Sequence, residues 1–162
     1  MHEKNSLWGL VMSKFREKYE SFLTEFSKGK TMVLSTSENS KVSSRMMSVV
    51  CISGAFYFQT DRTFRKYRQL AANPKAALCI DNIQIEGLCR ELGSPMDNPP
   101  FCRVLEECFP GSFRAYSALA NERLFVLEPE YVQRWVYRNN VPFIEVFDIK
   151  KQEYEISEYR GI

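Results

Sequence analysis

Apolar residues return every three or four positions between residues 5 and 28: Trp8, Val11, Phe15, Tyr19, Phe22, Leu23 and Phe26, with Lys14, Arg16, Glu17 and Glu20 between them. That spacing lays an apolar stripe along one side of a helix. Its aromatic members mark a core-facing side rather than a cofactor site. Gly29 follows, where a helix C-terminus favours a left-handed residue. From residue 31 the pattern changes to short β-rich runs: Met32–Thr36, Lys41–Ile52, Ala55–Thr60, Ala76–Ile80 and Ile83–Leu92. Ser37-Glu38-Asn39-Ser40 and Ser53-Gly54 separate the first three and suit hairpin turns, so an antiparallel meander is expected.

Asp61–Asn73 is too long for a hairpin and carries Phe64, Tyr67, Leu70 and Ala71 at helical spacing before Asn73-Pro74 stops it. This predicts one helix crossing from the first hairpins to the next, with its aromatic residues on the buried side. After the Pro-rich break Gly93–Pro100, Asn98 can cap a helix that begins at Pro99-Pro100 and turns Phe101, Val104, Leu105 and Cys108 inward. A short helical stretch with Phe113, Tyr116 and Leu119 comes next, then strands at Arg123–Leu127 and Phe143–Ile149. No repeat or linker interrupts residues 1–162, which read as a single domain. The fold class expected is mainly β: a six- to seven-stranded antiparallel barrel with flanking α-helices.

Composition narrows the function. With 14% aromatic and 26% charged residues the chain is not disordered, because that much aromatic surface needs a core. Lys and Arg number 22 against 20 Asp and Glu, so the formal charge of +2 does not suit a surface that coats a polyanion. The apolar run Leu7–Met12 is too short for a signal-peptide core or a membrane span, and a cytoplasmic protein is expected. Cys51, Cys79, Cys89, Cys102 and Cys108 are odd in number and form no CxxC pair, which points to reduced, mostly buried thiols rather than a disulfide framework or metal site. Cys89 and Cys102 border the Pro-rich break, where a redox thiol is conceivable, but a structural role is the simpler reading. The lone His2 lies at a chain end and supports no Ser/His/Asp catalysis.

Candidate chemistry concentrates in Gln59-Thr60-Asp61-Arg62-Thr63-Phe64-Arg65-Lys66-Tyr67-Arg68, which holds four cations and one carboxylate. Arg62, Arg65 and Lys66 fall at or near the start of the crossover helix, where the macrodipole favours anions and disfavours cations. Two readings stay open: a solvated charged face, or a phosphate held by backbone amides and cationic side chains together. The interleaved Phe64 and Tyr67 also raise nucleic-acid binding, which the near-neutral total charge disfavours. Strand alternation places Arg45 on the same side as Met47, Val49 and Cys51, so it either reaches solvent at an edge or needs a partner. By the same alternation Gln84 faces outward from Ile83 and Ile85.

In this order the residues resemble the flavin-binding split-barrel family typified by pyridoxine 5′-phosphate oxidase. The resemblance runs from about Met32 to Gly87: Arg45-Met46-Met47-Ser48-Val49-Val50, then Gly54 with Phe58-Gln59-Thr60, Arg65-Lys66, Gln69-Leu70-Ala71-Ala72-Asn73-Pro74, Ala77-Leu78 and Gln84-Ile85-Glu86-Gly87. It implies a split barrel that binds flavin mononucleotide (FMN), with Arg45, Arg65 and Lys66 around the phosphate. It further implies backbone groups of Arg45, Met46, Met47 and Ser48 at the flavin ring, Gln59 and Thr60 at the ribityl phosphate end, and Gln84 and Trp135 against the cofactor. The family builds each site between two chains, which implies a homodimer with its cofactors at the subunit interface. Val50 stands where the oxidase has a lysine, and the arginine and histidine that hold the vitamin phosphate there are not matched in Arg138–Asp148. A different small-molecule substrate is therefore expected for an FMN-dependent oxidoreductase, and a non-catalytic flavin or haem carrier or sensor on the same barrel is the alternative. No metal ligand set is expected.

Overall fold

A computed structural model describes residues 3–161. His2 and the side chains of Trp8 and Val11 lie outside the described residues. The elements are α1 (Glu3–Leu23), β1 (Lys30–Glu38), β2 (Lys41–Ile52), β3 (Ala55–Asp61), α2 (Arg65–Ala72), β4 (Lys75–Ile80) and β5 (Ile83–Gly93). They are followed by α3 (Pro99–Cys108), α4 (Pro110–Tyr116), β6 (Glu122–Arg138), β7 (Val141–Asp148) and β8 (Glu153–Glu158). The sheet is antiparallel throughout, in the order β3-β2-β1-β4-β5-β6-β7-β8, and a further β3–β6 ladder closes its first six strands into a barrel. β7 and β8 extend the sheet beyond it.

Local chemistry sets the corners. Asn39-Ser40 and Ser53-Gly54 both have two successive positive φ angles, the backbone of a two-residue hairpin turn whose twist matches its strands. α1 ends in a single 3₁₀ turn, Thr24–Phe26, and the chain then leaves through Gly29 at φ +65°. Asn98 accepts from the Phe101 amide at 3.0 Å and caps α3, as its place before Pro99-Pro100 predicts.

Inward residues alternate along each strand and fill the barrel with Met32, Leu34, Met47, Val49, Phe56, Phe58, Leu78, Ile85, Phe125 and Leu127. Phe58 and Phe125 stack at 5.8 Å between centroids across the closing ladder. Phe15, Tyr19, Phe22 and Phe26 of the N-terminal segment pack in succession against Phe147 of β7 and Phe56 of β3. A clamp reinforces this: Arg134 pairs with Glu145 and with Glu25, while Glu145 also accepts from Tyr154. On the outer side of β2, β3 and β6, α3 covers a second small core of Val50, Phe101, Leu105 and Leu124.

Several expectations need correction. β6 continues eleven residues beyond Leu127, and β8 adds a strand that the pattern did not reveal. Pro129 lies within β6, opposite Gly87 and next to a register shift of the β5–β6 ladder, the kind of place where a strand tolerates proline. The crossover helix begins only at Arg65, and two residues expected on its buried side are exposed, Phe64 and Ala71. Gln69 is buried instead, beside Leu70. Cys89 is buried, Cys51, Cys102 and Cys108 are half-buried, and Cys79 is exposed on β4.

At Gly87 a Cβ would lie 2.2 Å from the Glu128 carbonyl oxygen, a backbone atom that cannot swing aside. Gly87→Ala should therefore cost about 1–3 kcal/mol as overpacking. A urea unfolding midpoint matching the wild type would show that the β5–β6 bulge yields without strain.

Candidate functional site

Five elements meet at one shoulder of the barrel: β2 and β3, the start of α2, and the end of α4 running into β6. Between them lies a cleft of about 350 Å³, within the range of small-molecule sites. Met46, Met47 and Ser48 form one wall, Gln59 and Thr60 the floor, and Phe64 and Lys66 the α2 side. Ser112, Tyr116 and Leu119 close it from α4 and the following turn, with Asp61 and Glu122 at the β3–β6 end.

Each side chain is placed by its element. Gln59 points out of the barrel under α4, where its Oε1 accepts from the buried Ser117 hydroxyl at 2.8 Å. Asp61 accepts from the Thr63 amide and hydroxyl, both at 2.7 Å, and so turns the chain from β3 into α2. These bonds hold its carboxyl below the usual carboxylate range. Among the described residues no side chain caps α2 and no acidic residue stands in its first turn; the Tyr67 and Arg68 amides bond the Phe64 carbonyl, which leaves those of Arg65 and Lys66 without a partner there. The Lys66 ammonium rests over the Phe64 ring, 4.6 Å from its centroid.

Arg45 lies beside the cleft at the barrel rim, facing the Leu34 side of the sheet. Its guanidinium donates to the Leu34 carbonyl at 3.2 Å, to Thr36 Oγ1 at 2.7 Å and to Gln69 Oε1 at 2.9 Å. Thr36 also donates to Gln69 Oε1, and Gln69 Nε2 donates to Ser43. All these acceptors are neutral. They orient the cation without cancelling its charge.

Arg62 is tied to Asn121 and Arg68 to Glu38, but no ion pair among the described residues involves Arg45, Arg65 or Lys66. Burial, then the Arg65 charge, pushes Arg45 below its ordinary value; burial, then Arg45, does the same to Lys66. Arg45 is repelled by Arg65 and repels Lys66, on which Glu122 and Asp61 act in opposition, and such a cluster beside the start of a helix is one that an anion would stabilise. The residues present thus suit a phosphate group.

Of the residues singled out from the sequence, Met46, Met47, Ser48, Gln59, Thr60 and Lys66 line the cleft. Arg45 and Arg65 do not line it; the Arg45 charge acts on Lys66 and the Arg65 charge on Arg45. Gln84 and Trp135 are not brought there within one chain. The outward row Met46–Val33–Cys79–Gln84 spans three strand spacings, so Gln84 lies about 14 Å across the barrel's outer face. Trp135 is beyond it at the β4–β5 turn, hydrogen-bonded through its backbone to Asn82, with its ring against Tyr159. Neither Cys89 nor Cys102 lines the cleft; burial pushes the Cys89 thiol up to about 12, and Cys102 donates to the Pro95 carbonyl.

Sequence reasoning missed Phe64, Ser112, Tyr116, Leu119 and Glu122. Helical spacing assigned Phe64 to a core face, yet Phe64, Tyr116 and Leu119 are about half exposed around the cleft, as is Met46. Glu122 left no mark in the sequence. It is 5% exposed, faces Asp61 across the β3–β6 ladder, and its carboxyl has no hydrogen bond or ion pair among the described residues. Burial, then the Asp61 charge, raises it to about 7, with Lys66 opposing.

The class that the fold defines is a closed six-stranded antiparallel barrel with two further strands, here with a cation-edged cleft on its shoulder. The family model described as pyridoxamine 5′-phosphate oxidase matches residues 15–136, and the chain belongs to that family. No curated protein matches the sequence. Among solved structures, a pyridoxamine 5′-phosphate oxidase-related, FMN-binding protein of Nostoc punctiforme superposes with a TM-score of 0.59 at 15% identity, covering 95% of this chain and 97% of that one. PhzG of Burkholderia lata, in complex with tetrahydrophenazine-1-carboxylic acid, gives 0.58 at 16% identity over 90% and 89%. HutZ, a haem storage protein of Vibrio cholerae, gives 0.56 at 18% identity over 70% and 89%. These likenesses are of fold.

The Glu122 carboxyl yields a pH prediction. Between its ordinary value of 4.5 and about 7 the folded chain binds more protons at this group than the unfolded chain does. Its contribution to stability therefore falls as pH rises through that window and is level above it. Glu122→Gln should gain urea resistance relative to the wild type on going from pH 5 to pH 8. A constant difference between the two midpoints would place the Glu122 titration outside that range.

Proposed function

We propose that this chain is an FMN-binding protein acting in the cytoplasm as a homodimer, with oxidoreductase activity on a small molecule. The observation that carries this reading is the set Arg45, Arg65 and Lys66, without an ion pair among the described residues, beside a cleft of ligand size. In it, Lys66, Arg65 and Arg45 hold the phosphate together with the first amides of α2. Thr60 and Gln59 lie along the ribityl chain, and the backbone of Met46–Ser48 borders the ring. Bound flavin supplies hydride or electron transfer, while the protein supplies position and electrostatics.

Gln84 and Trp135 of the partner subunit complete each site in this reading. The small, uncharged outer-face residues Val33, Ser35, Ser44, Ala77 and Cys79, with exposed Met46 and Val42, support such a pairing of barrels. Among the described residues no helix is long and apolar enough to cross a membrane. A net charge of +2 favours a small anionic ligand over nucleic acid.

The visible spectrum of the freshly purified protein separates flavin, haem and an empty cleft. Arg65→Ala combined with Lys66→Ala should weaken FMN binding by about 2–4 kcal/mol, roughly 30- to 1,000-fold in dissociation constant. Unchanged affinity in a folded double variant would remove these residues from the phosphate site. Reduction by a nicotinamide donor with steady turnover supports the enzyme; a bound but inert cofactor, or a haem spectrum, supports the carrier.

A further inference from the structure

A buried carboxyl group at the phosphate end of an anion site is an electrostatic contradiction, and Glu122 is such a group. It is 5% exposed, opens onto the cleft, and has no hydrogen bond or ion pair among the described residues. From β3 it faces Asp61, its cross-strand partner; from α2 it faces Lys66; from the α4 side Tyr116 lines the same cleft. The adjacent Arg123 is turned away, with its guanidinium on the Ala120 and Glu122 carbonyls and near Glu91. Asp61 is already satisfied by Thr63 and stays ionised. Glu122 is therefore the carboxyl in this cleft that can change charge when an anion arrives.

We propose that anion binding in the cleft is proton-linked through Glu122: the phosphate group held by Lys66, Arg45 and Arg65 is bound together with a neutral Glu122, whose hydroxyl is free to donate a hydrogen bond into the cleft. The inference rests on the phosphate site assigned above and adds its regulation. Ionised Glu122 beside Asp61 offsets the local cations and repels a dianion; protonated Glu122 leaves the cations in excess and adds a donor. Lowering the pH through the neutral range tightens binding, and each binding event above that range takes up a proton. The free carboxyl titrating at about 7 places the switch at neutral pH.

The probe is FMN, titrated into the full chain by calorimetry and flavin fluorescence between pH 6.5 and 8.5. A phosphate monoester has its own second ionisation near pH 6, so the ligand is mostly a dianion across this range. The wild type should bind FMN on the order of tenfold more weakly at pH 8.5 than at pH 6.5, the response of one linked proton. At the upper pH it should take up about one proton per FMN, read from buffers of different ionisation enthalpy. Glu122→Gln should bind with little pH dependence and no proton uptake, and more tightly than the wild type at pH 8.5. A Glu122→Gln profile that parallels the wild type, or weaker binding by the variant at every pH, would overturn the proposal. If neither protein binds FMN at any pH, the phosphate site itself is wrong and this inference fails with it. If Glu122→Gln does not fold, the carbon-13 carboxyl signals of wild-type glutamates carry the test: one midpoint near 7 must move upward on saturation with FMN, and a stationary one refutes the linkage.

Discussion

Closure of the barrel by the β3–β6 ladder forces the end of β3, the start of α2 and the start of β6 onto one shoulder, beside the rim where Arg45 leaves β2. At that rim Leu34, Thr36 and Gln69 supply the hydrogen-bond acceptors that Arg45 has among the described residues, and none of them carries charge. Neutral acceptors satisfy a guanidinium's geometry while leaving its field intact. The field is therefore exported toward Lys66 and the cleft. A carboxylate in place of Gln69 would have made a structural ion pair there and left little attraction for an external anion.

Gln69 also couples two parts of the molecule. Being fully buried, it must find partners for both its oxygen and its nitrogen, and it does so on β1 and β2 through Thr36, Arg45 and Ser43. This fixes the rotation of α2 about its axis and so the direction in which Arg65 and Lys66 point, one turn earlier. Phe64, left outside by the late start of the helix, becomes a wall of the cleft and a platform for the Lys66 ammonium rather than a core residue.

Members of one fold can hold different cofactors because the barrel provides the shoulder, not the chemistry. An FMN-binding protein and a haem storage protein both superpose on this chain at under 20% identity. The shoulder of this chain carries three cations that form no ion pair among the described residues, and a buried glutamate. The first favours a phosphate-bearing ligand. The last makes the attraction depend on protonation.

The strands, turns and helices were mostly legible in the sequence because alternation, helical spacing and turn chemistry are local properties. Half of the cleft lining was named from the sequence as well: Gln59, Thr60 and Lys66 belong to the cation-rich stretch whose charges run against the helix dipole, and Met46, Met47 and Ser48 came from the family resemblance. The length of β6 beyond Leu127 was not legible, because its continuation past Pro129 goes with a register shift against β5, which is remote in the sequence. Nor could spacing show that Phe64, Tyr116 and Leu119 border a cleft, since an apolar residue at a helical step is the same whether a core or a void lies opposite. Glu122 was invisible for a similar reason: its burial, its missing partner and its neighbours Asp61 and Lys66 all arise from contacts that exist only once the barrel has closed.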